Sequence, residues 1–270
     1  MLIGLVLTGS TARVGVEPFF MELIAGMEDA LAPRGLTVLL LVVPSVEAEL
    51  DTYRRWAGDH TVRAVVVVNL VHDDPRPEFL AALGLPAVLA GRTDHPGFAR
   101  VVTDDAGALT VAVDLLAELG HRVIGRVTGP ADLVHTADRT AAMLLAAARH
   151  DIRVHLVEGD YSASAGIRGV RELLAVTPPP TAVVFDNDVM AVAASNSGID
   201  VPGQVSLLVH DDSPLCELAV PPLSALSIDV HEHGRVLGRV VLAALDGAAP
   251  AEYPGPPVRV LRRASIESVR

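Results

Sequence analysis

Short apolar runs and longer amphipathic ones alternate along this chain almost from end to end. The short runs are rich in β-branched residues and predict strands at Leu2–Leu7, Thr37–Val43, Ala64–Val68, Ala87–Ala90, Val123–Val127, Val154–Val157, Ala182–Phe185 and Val205–Val209. Several are apolar on both faces, as strands of a parallel sheet covered on both sides must be. The longer runs predict helices. In Pro18–Leu31 the residues Phe20, Leu23, Ile24, Met27 and Leu31 form one stripe, and Pro18 stands in the first turn, where its missing N–H is not needed. Ala106–Leu119, Ala137–Arg149, Ala165–Leu174, Val189–Ala194 and Glu232–Leu245 carry helical patterns too. Strand followed by helix at this spacing gives right-handed parallel α/β units.

The series is too long for one comfortable sheet. "ELGHRVIGRVTGP" (Glu118 to Pro130) reads as a restart, a fresh strand after a glycine helix stop. Two similar doubly wound lobes are therefore expected. No sequence repeat relates them and no low-complexity linker joins them, though "PAEYPGPPV" (Pro250 to Val258) reads as a proline-rich surface connection.

Composition narrows this further. The chain has 270 residues, half of them apolar, and a mean hydropathy of +0.42, which excludes disorder and leaves ample material for a core. The net charge of −12 argues against binding of phosphate backbones by this chain itself. A single cysteine, Cys216, excludes an internal disulfide framework. The apolar N-terminus has no basic region ahead of it and reads as a core strand rather than a signal peptide. No apolar run reaches membrane-spanning length without a charge or a turn signal. A soluble cytoplasmic protein without membrane contact is expected.

In doubly wound sheets, ligands bind beyond the carboxyl ends of the strands. Three polar pairs fall there: Asp104-Asp105 in "VVTDDAGA", Asn187-Asp188 in "VVFDNDVMA" and Asp211-Asp212 in "LVHDDSPL". Paired carboxylates suit a glycosidase acid and base, an Mg²⁺ site, or one acid facing a polar ligand while its neighbour caps the next turn. "HEHG" (His231 to Gly234) looks like a metal-ligand pair, but residues two apart on a helix point away from each other, and a polar helix start is the simpler reading. "TGSTARVG" (Thr8 to Gly15) lacks the lysine and spacing of a phosphate loop. There is no GxSxG elbow, and Cys216 has no motif beside it. No catalytic residue, metal site or cofactor is nominated.

The order of motifs resembles the effector-binding core of the lactose-repressor (LacI/GalR) family of bacterial transcription regulators. "IGLVLT…EPFFMELIAGMEDALAPRGLTVLL" is similar to that family's first strand, N-P-F-F helix start and following helix. "LPAVLAGRTD" resembles G-I-P-V-V-x-x-D/R. "VVTDDAGA…VDLLAELGHRVIGRVTGP" resembles V-x-x-D-N-x-x-G…L-x-x-L-G-H-R-x-I-x-x-x-x-G-P. "PPPTAVVFDNDVMAVAA" resembles P-T-A-I-F-x-x-N-D-x-M-A-x-G-A, and "VPGQVSLLVHDDSPL…VPPLSAL" resembles V-P-x-D-V-S-V-x-G-F-D-D-S…P-P-L-T-T-V.

The resemblance implies an α/β fold of two doubly wound parallel-sheet lobes with a ligand cleft between them, like type I periplasmic binding proteins, the chain crossing between lobes more than once. The N-terminal lobe would take residues 1–119 plus 231–248, and the C-terminal lobe 120–230 plus 257–270. It implies effector-binding roles for Phe19, Phe20, Asp104, Arg139, Tyr161, Asn187 and Asp211, with Tyr161 stacking on a sugar face and Asp212 structural. Carboxylate, amide and guanidinium groups grip vicinal hydroxyls in pairs, so the set is chemically coherent. It departs from the family at Glu17 (for Asn), at Ala142-Met143 (for Gly-Phe), at Ile228 (for a polar residue) and in a shortened helix after Asn187-Asp188.

The function implied is the ligand-sensing and dimerisation core of a LacI-type regulator, not an enzyme. It would bind a small, sugar-like effector, form a homodimer, and meet operator DNA only through a helix-turn-helix that this sequence does not contain. A periplasmic-type sugar-binding protein and a carboxylate-dependent hydrolase are the alternatives.

Overall fold

The computed structural model describes residues 1–9 and 18–269, which form two compact units. The first comprises Met1–Thr103 and Asp229–Pro256, the second Asp104–Ile228 and Pro257–Arg270, so the chain passes between them three times. The expected glycine loop from Thr8 to Gly15 and the departure at Glu17 lie almost wholly outside the described residues.

The first unit is a six-stranded, all-parallel sheet. Its strands are β1 (Leu2–Thr8), β2 (Thr37–Val43), β3 (Val62–Val67), β4 (Ala87–Ala90), β5 (Ala99–Val102) and β11 (Glu252–Pro254), in the spatial order β11-β5-β4-β3-β1-β2. Helices α1 (Pro18–Leu31), α2 (Val46–Gly58), α3 (Pro75–Leu83) and α9 (Val230–Leu245) cover it. Helices α1 and α9 touch backbone to backbone. A Cβ on Gly26 would lie 1.9 Å from the His231 carbonyl oxygen, and one on Gly234 2.1 Å from that of Leu23, so these two helices meet this closely only with glycine at both places.

The second unit repeats the plan with β6 (Val123–Thr128), β7 (Arg153–Glu158), β8 (Ala182–Phe185), β9 (Ser206–His210), β10 (Ser224–Ser227) and β12 (Arg259–Leu261), ordered β12-β10-β9-β8-β6-β7. Its helices are α4 (Asp105–Glu118), α5 (Val134–Arg149), α6 (Ala163–Leu174), α7 (Asp188–Ser195) and α8 (Pro214–Leu218). The strands are apolar on both faces because both are covered. Ala182, Val184, Leu208 and Leu226 join α4 and α5 in one core, while Val183, Phe185, Leu207, Val209 and Ala225 join α6 and α7 in the other.

Two expectations need correction. The boundary lies at Thr103, not Leu119: α4 packs Ala108, Leu109, Ala112, Val113 and Leu116 against Met143, Ala146 and Ile124, so it belongs to the second unit. The glycine stop at Gly120 ends a helix but not a lobe. Likewise the return segment of the first unit runs from Asp229 to Pro256 rather than over 231–248. The fold expected, two doubly wound and mostly parallel sheets, is found, with the edge strand β12 of the second running antiparallel to β10.

Candidate functional site

In each sheet the strand order reverses direction at one place, and side chains beyond the carboxyl ends of the strands there face open space rather than a following neighbour. In the second unit this switch falls between β6 and β8. The residues just past those ends, and past β9, form a polar cluster with α5 and the start of α4.

Its floor is an ion pair. Arg126, in the middle of β6, is wholly buried and donates from Nε and Nη2 to the two carboxylate oxygens of Asp186, each at 2.7 Å, and from Nη1 to Thr140 Oγ1 at 2.9 Å. The Gly129 N–H donates to Asp186 Oδ2 at 3.0 Å. Burial alone would raise the Asp186 pKa. The Arg126 charge and hydrogen bonds, helped by Arg139 and Gly129, outweigh it and hold the group at about 2.

Above the floor, Arg139 on α5 directs Nε and Nη2 to Asp105 Oδ1, both at 2.7 Å, with Nη1 4.0 Å from Asp186 Oδ2. Burial opposes its charge and the flanking carboxylates support it, raising its pKa. One turn earlier, His135 Nε2 and the Tyr161 hydroxyl are hydrogen-bonded at 2.9 Å. Burial and the neighbouring Arg139 push His135 down to about 4, so it is neutral at ordinary pH. Tyr161 holds a left-handed backbone (φ 67°), and its hydroxyl occupies the space a Cβ on Gly129 would need, 2.1 Å away. Burial raises its pKa, so it stays a phenol.

The expected site residues divide by role. Asp104 caps α4, accepting from Gly107 N at 2.9 Å, and the acid that meets Arg139 is its neighbour Asp105. Asn187 caps α7, accepting from Met190 N at 2.9 Å and donating to the Tyr161 carbonyl at 3.1 Å, and thereby fixes the tyrosine's backbone. Asp211 also has a left-handed backbone (φ 69°), uncommon for a residue with a side chain and typical of strain kept at a working site. Asp212 forms a two-pronged pair with Arg263 at 2.7 and 3.0 Å; the turn cap expected of it is supplied instead by Ser213, which accepts from Leu215 N. In the first unit Phe20 is buried and Phe19 half-buried, meeting edge to face with centroids 5.3 Å apart. Among the departures, Met143 and Ile228 are buried.

Sequence reasoning passed over Arg126, Asp186, His135 and His210. His210 closes β9 with 1% of its surface exposed. Its Nδ1 lies 3.3 Å from Asp211 Oδ1 and its Nε2 3.8 Å from Asp105 Oδ1, yet neither nitrogen makes a hydrogen bond. Asp211 Oδ1 and Thr136 Oγ1 are buried without a hydrogen bond as well. Each such atom costs about 1–3 kcal/mol of stability, so several together mark a surface built to be completed by something else. The readable signal was His210 itself, standing where the motif it resembles has phenylalanine.

No group of three or more His, Cys, Asp or Glu among the described residues is placed to hold a metal ion. His231 and His233 lie in the first turn of helix α9, His231 half-buried and His233 buried, so they are not set side by side. Burial pushes the Cys216 thiol up to about 12, too high for a nucleophile. Neither acid pair offers two free carboxylates, since Asp104 caps a helix and Asp212 holds Arg263. Among the described residues, no helix is long and apolar enough to cross a membrane.

Comparison with known proteins adds four findings. The family of periplasmic binding protein-like domains matches residues 113–266. The HTH-type transcriptional regulator CelR of Thermobifida fusca is 32% identical over 257 residues, covering 91% of this chain and 75% of that protein. Among solved structures, a LacI family transcriptional regulator from Bifidobacterium animalis subsp. lactis superposes with a TM-score of 0.90 at 31% identity over 100% of this chain and 98% of its own. A complex of the regulator CelR with cellobiose superposes with a TM-score of 0.90 at 27% identity over 98% and 84%.

Proposed function

This chain belongs to the LacI family of transcriptional regulators, with a periplasmic binding protein-like domain, and from that premise we propose that it senses a sugar through the polar cluster of its second unit. The observation that carries the proposal is the set of buried, unpartnered atoms on Thr136, His210 and Asp211, gathered around the Arg139 guanidinium. A sugar hydroxyl both donates and accepts, so a few of them complete such a set at once, and the Tyr161 ring supplies a flat apolar surface for a pyranose face. The relative solved with cellobiose supports a sugar over other polar ligands. Asp211 and Arg139 are the contacts we assign first. Asp104 and Asn187 act mainly by fixing helix starts.

The role is regulatory. With net charge −12, this chain is not itself the part that reads DNA. We also assign a homodimer, because a two-fold pair matches a palindromic operator, and a cytoplasmic location, where DNA is met. A turnover role is disfavoured by the engaged partners of both acid pairs. The test is heat denaturation of the chain with a panel of mono- and disaccharides, followed by calorimetric titration of each sugar that raises the midpoint. Stabilisation by at least one sugar with a 1:1 stoichiometry is expected; no response across the panel overturns the reading. Light scattering at micromolar concentration checks the dimer, and a monomer mass refutes it.

A further inference from the structure

We propose that His210 sets the chemical class of the effector at this site, admitting an uncharged hydroxylated group and turning away phosphate and carboxylate. The inference rests on the sugar reading above and goes beyond it, because that reading leaves open whether the sugar is neutral or acidic.

The first ground is geometric. His210 is buried between two carboxylates, Asp105 and Asp211, and neither ring nitrogen is hydrogen-bonded. A phenyl ring would fill the same position without stranding two polar atoms, so packing gives no reason for imidazole here. As neutral imidazole, one nitrogen donates and the other accepts. Asp211 Oδ1, also unpartnered, accepts only. A hydroxyl satisfies every one of these positions, because it takes either role. A phosphate or carboxylate accepts only, so it would meet the N–H and leave the other nitrogen and the aspartate oxygen facing lone pairs.

The second ground is charge. In the cluster the carboxylates Asp105, Asp186 and Asp211 outnumber the guanidiniums Arg126 and Arg139 by three to two. Arg126 is engaged by Asp186 and Thr140, and two of the three Arg139 nitrogens by Asp105. His135 is neutral. Arg263 is held by Asp212 and Glu217. Among the described residues of this cluster, no guanidinium is left to grip an anion in the two-pronged way that phosphate recognition uses, and Asp211 is the acid that no guanidinium holds directly.

The experiment titrates the whole chain calorimetrically with matched pairs: ribose and ribose 5-phosphate, glucose and glucose 6-phosphate, glucose and glucuronate, cellobiose and its phosphorylated form. Wild type should bind the neutral member of a pair at least about tenfold more tightly than the acidic one. His210→Phe should keep or raise the thermal midpoint yet lose about tenfold or more in neutral-sugar affinity. His210→Asn, which restores a donor and an acceptor, should recover part of that loss. Asp211→Asn should narrow the gap between neutral and phosphorylated sugars, and it keeps the test alive if His210→Phe fails to fold. Tighter binding of a phosphorylated sugar by wild type, or undiminished neutral-sugar binding by His210→Phe, overturns this inference while leaving the sugar reading standing. If no member of any pair binds, the sugar reading falls and this inference with it.

Discussion

At the carboxyl end of β3, Arg76 is held from every side: Nε and Nη2 by Asp74, Nη1 by Glu49 and the Val68 carbonyl, Nη2 again by the Asn69 carbonyl. Glu49 also accepts from the Tyr53 hydroxyl. At the end of β8, which holds the corresponding place in the second sheet, Asp186 and Arg126 are equally well paired, but His210, Thr136 and Asp211 around them retain unpartnered atoms. Two sheets with one strand order have thus put buried ions at equivalent places for different ends. A network whose every polar atom is satisfied fixes a loop; one with atoms left over is prepared for a ligand. At these two strand ends burial and charge do not separate structure from function, and hydrogen-bond satisfaction does.

The largest effect should come from breaking the paired floors, which this comparison treats alike. Asp186→Ala leaves Arg126 buried with no counter-ion and should cost about 3–5 kcal/mol of unfolding free energy, and Arg76→Met should cost a similar amount by stranding Glu49 and Asp74. Urea denaturation measures both. A loss below about 1 kcal/mol for either would mean that the buried pair is not what holds that strand end in place.

Next comes the contrast within "LVHDDSPL". Asp211→Ala should weaken the sugar that stabilises wild type by about 2–4 kcal/mol, because it removes a charged acceptor from a desolvated site. Asp212→Ala should leave affinity within about threefold and instead lower stability by roughly 1 kcal/mol, through the half-buried pair with Arg263 that ties down the C-terminal segment. Equal affinity losses in titrations of the two variants would dissolve the distinction between them.

These roles were only partly legible in the sequence. Strands β1, β3, β4, β6, β8 and β9 were readable because both faces of the sheet are covered there and nearly every position is apolar, and the edge strands β2 and β7 by the apolar residues of Thr37–Val43 and Val154–Val157. Strands β5, β10, β11 and β12 lie at or next to one edge of their sheets and span only three or four residues with polar side chains among them, and their existence is decided by pairing to a neighbour rather than by local preference. Helix α2 was hidden for another reason: its inward face carries Glu49 and Thr52 beside Tyr53 and Trp56, so the apolar stripe is interrupted by the network it serves. At the site, Arg139, Tyr161, Asn187 and Asp211 were reached through resemblance. Arg126 was missed because it sits in a run read as core strand, and His210 because it stands one residue past such a run, beside the acid pair taken as the candidate. A charge in the middle of such a strand is itself a signal, since an arginine buried there must have a partner.

The two units should also differ in how they answer to acid. Asp186 has a folded pKa of about 2, below the roughly 3.9 of an unfolded aspartate. Its contribution is therefore complete above about pH 4 and disappears as pH falls towards 2, amounting to about 2 kcal/mol. His135, at about 4 when folded, adds an earlier loss as pH drops below about 6.5, because the unfolded chain takes up the proton first. Both groups lie in the second unit. The stability gap between wild type and Asp186→Asn should hold constant from neutral pH down to about 4 and close below it. A gap independent of pH between 5 and 2 would show that the carboxylate charge contributes nothing.

The smallest effect belongs to the first unit and has the opposite sign. His231 on α9 is bracketed by Glu22 (2.8 Å) and Asp29 (3.0 Å) on α1, and its hydrogen bonds to Asp29 and then Glu22 raise its pKa. A group whose folded pKa is raised stabilises fully below the unfolded value, about 6.5, and loses that contribution as pH rises through the folded one. The ring is about a third exposed, so water and salt screen the attraction and its worth stays under about 1 kcal/mol. His231→Gln should then be slightly less stable than wild type at pH 5.5, and the difference should fade by pH 9 and shrink with added salt. Denaturant midpoints at the two pH values read this directly. A deficit that grows with pH would mean that the α1–α9 contact relies on the imidazole's packing and not on its charge, leaving the Gly26 and Gly234 backbone approach as the feature that joins the two helices.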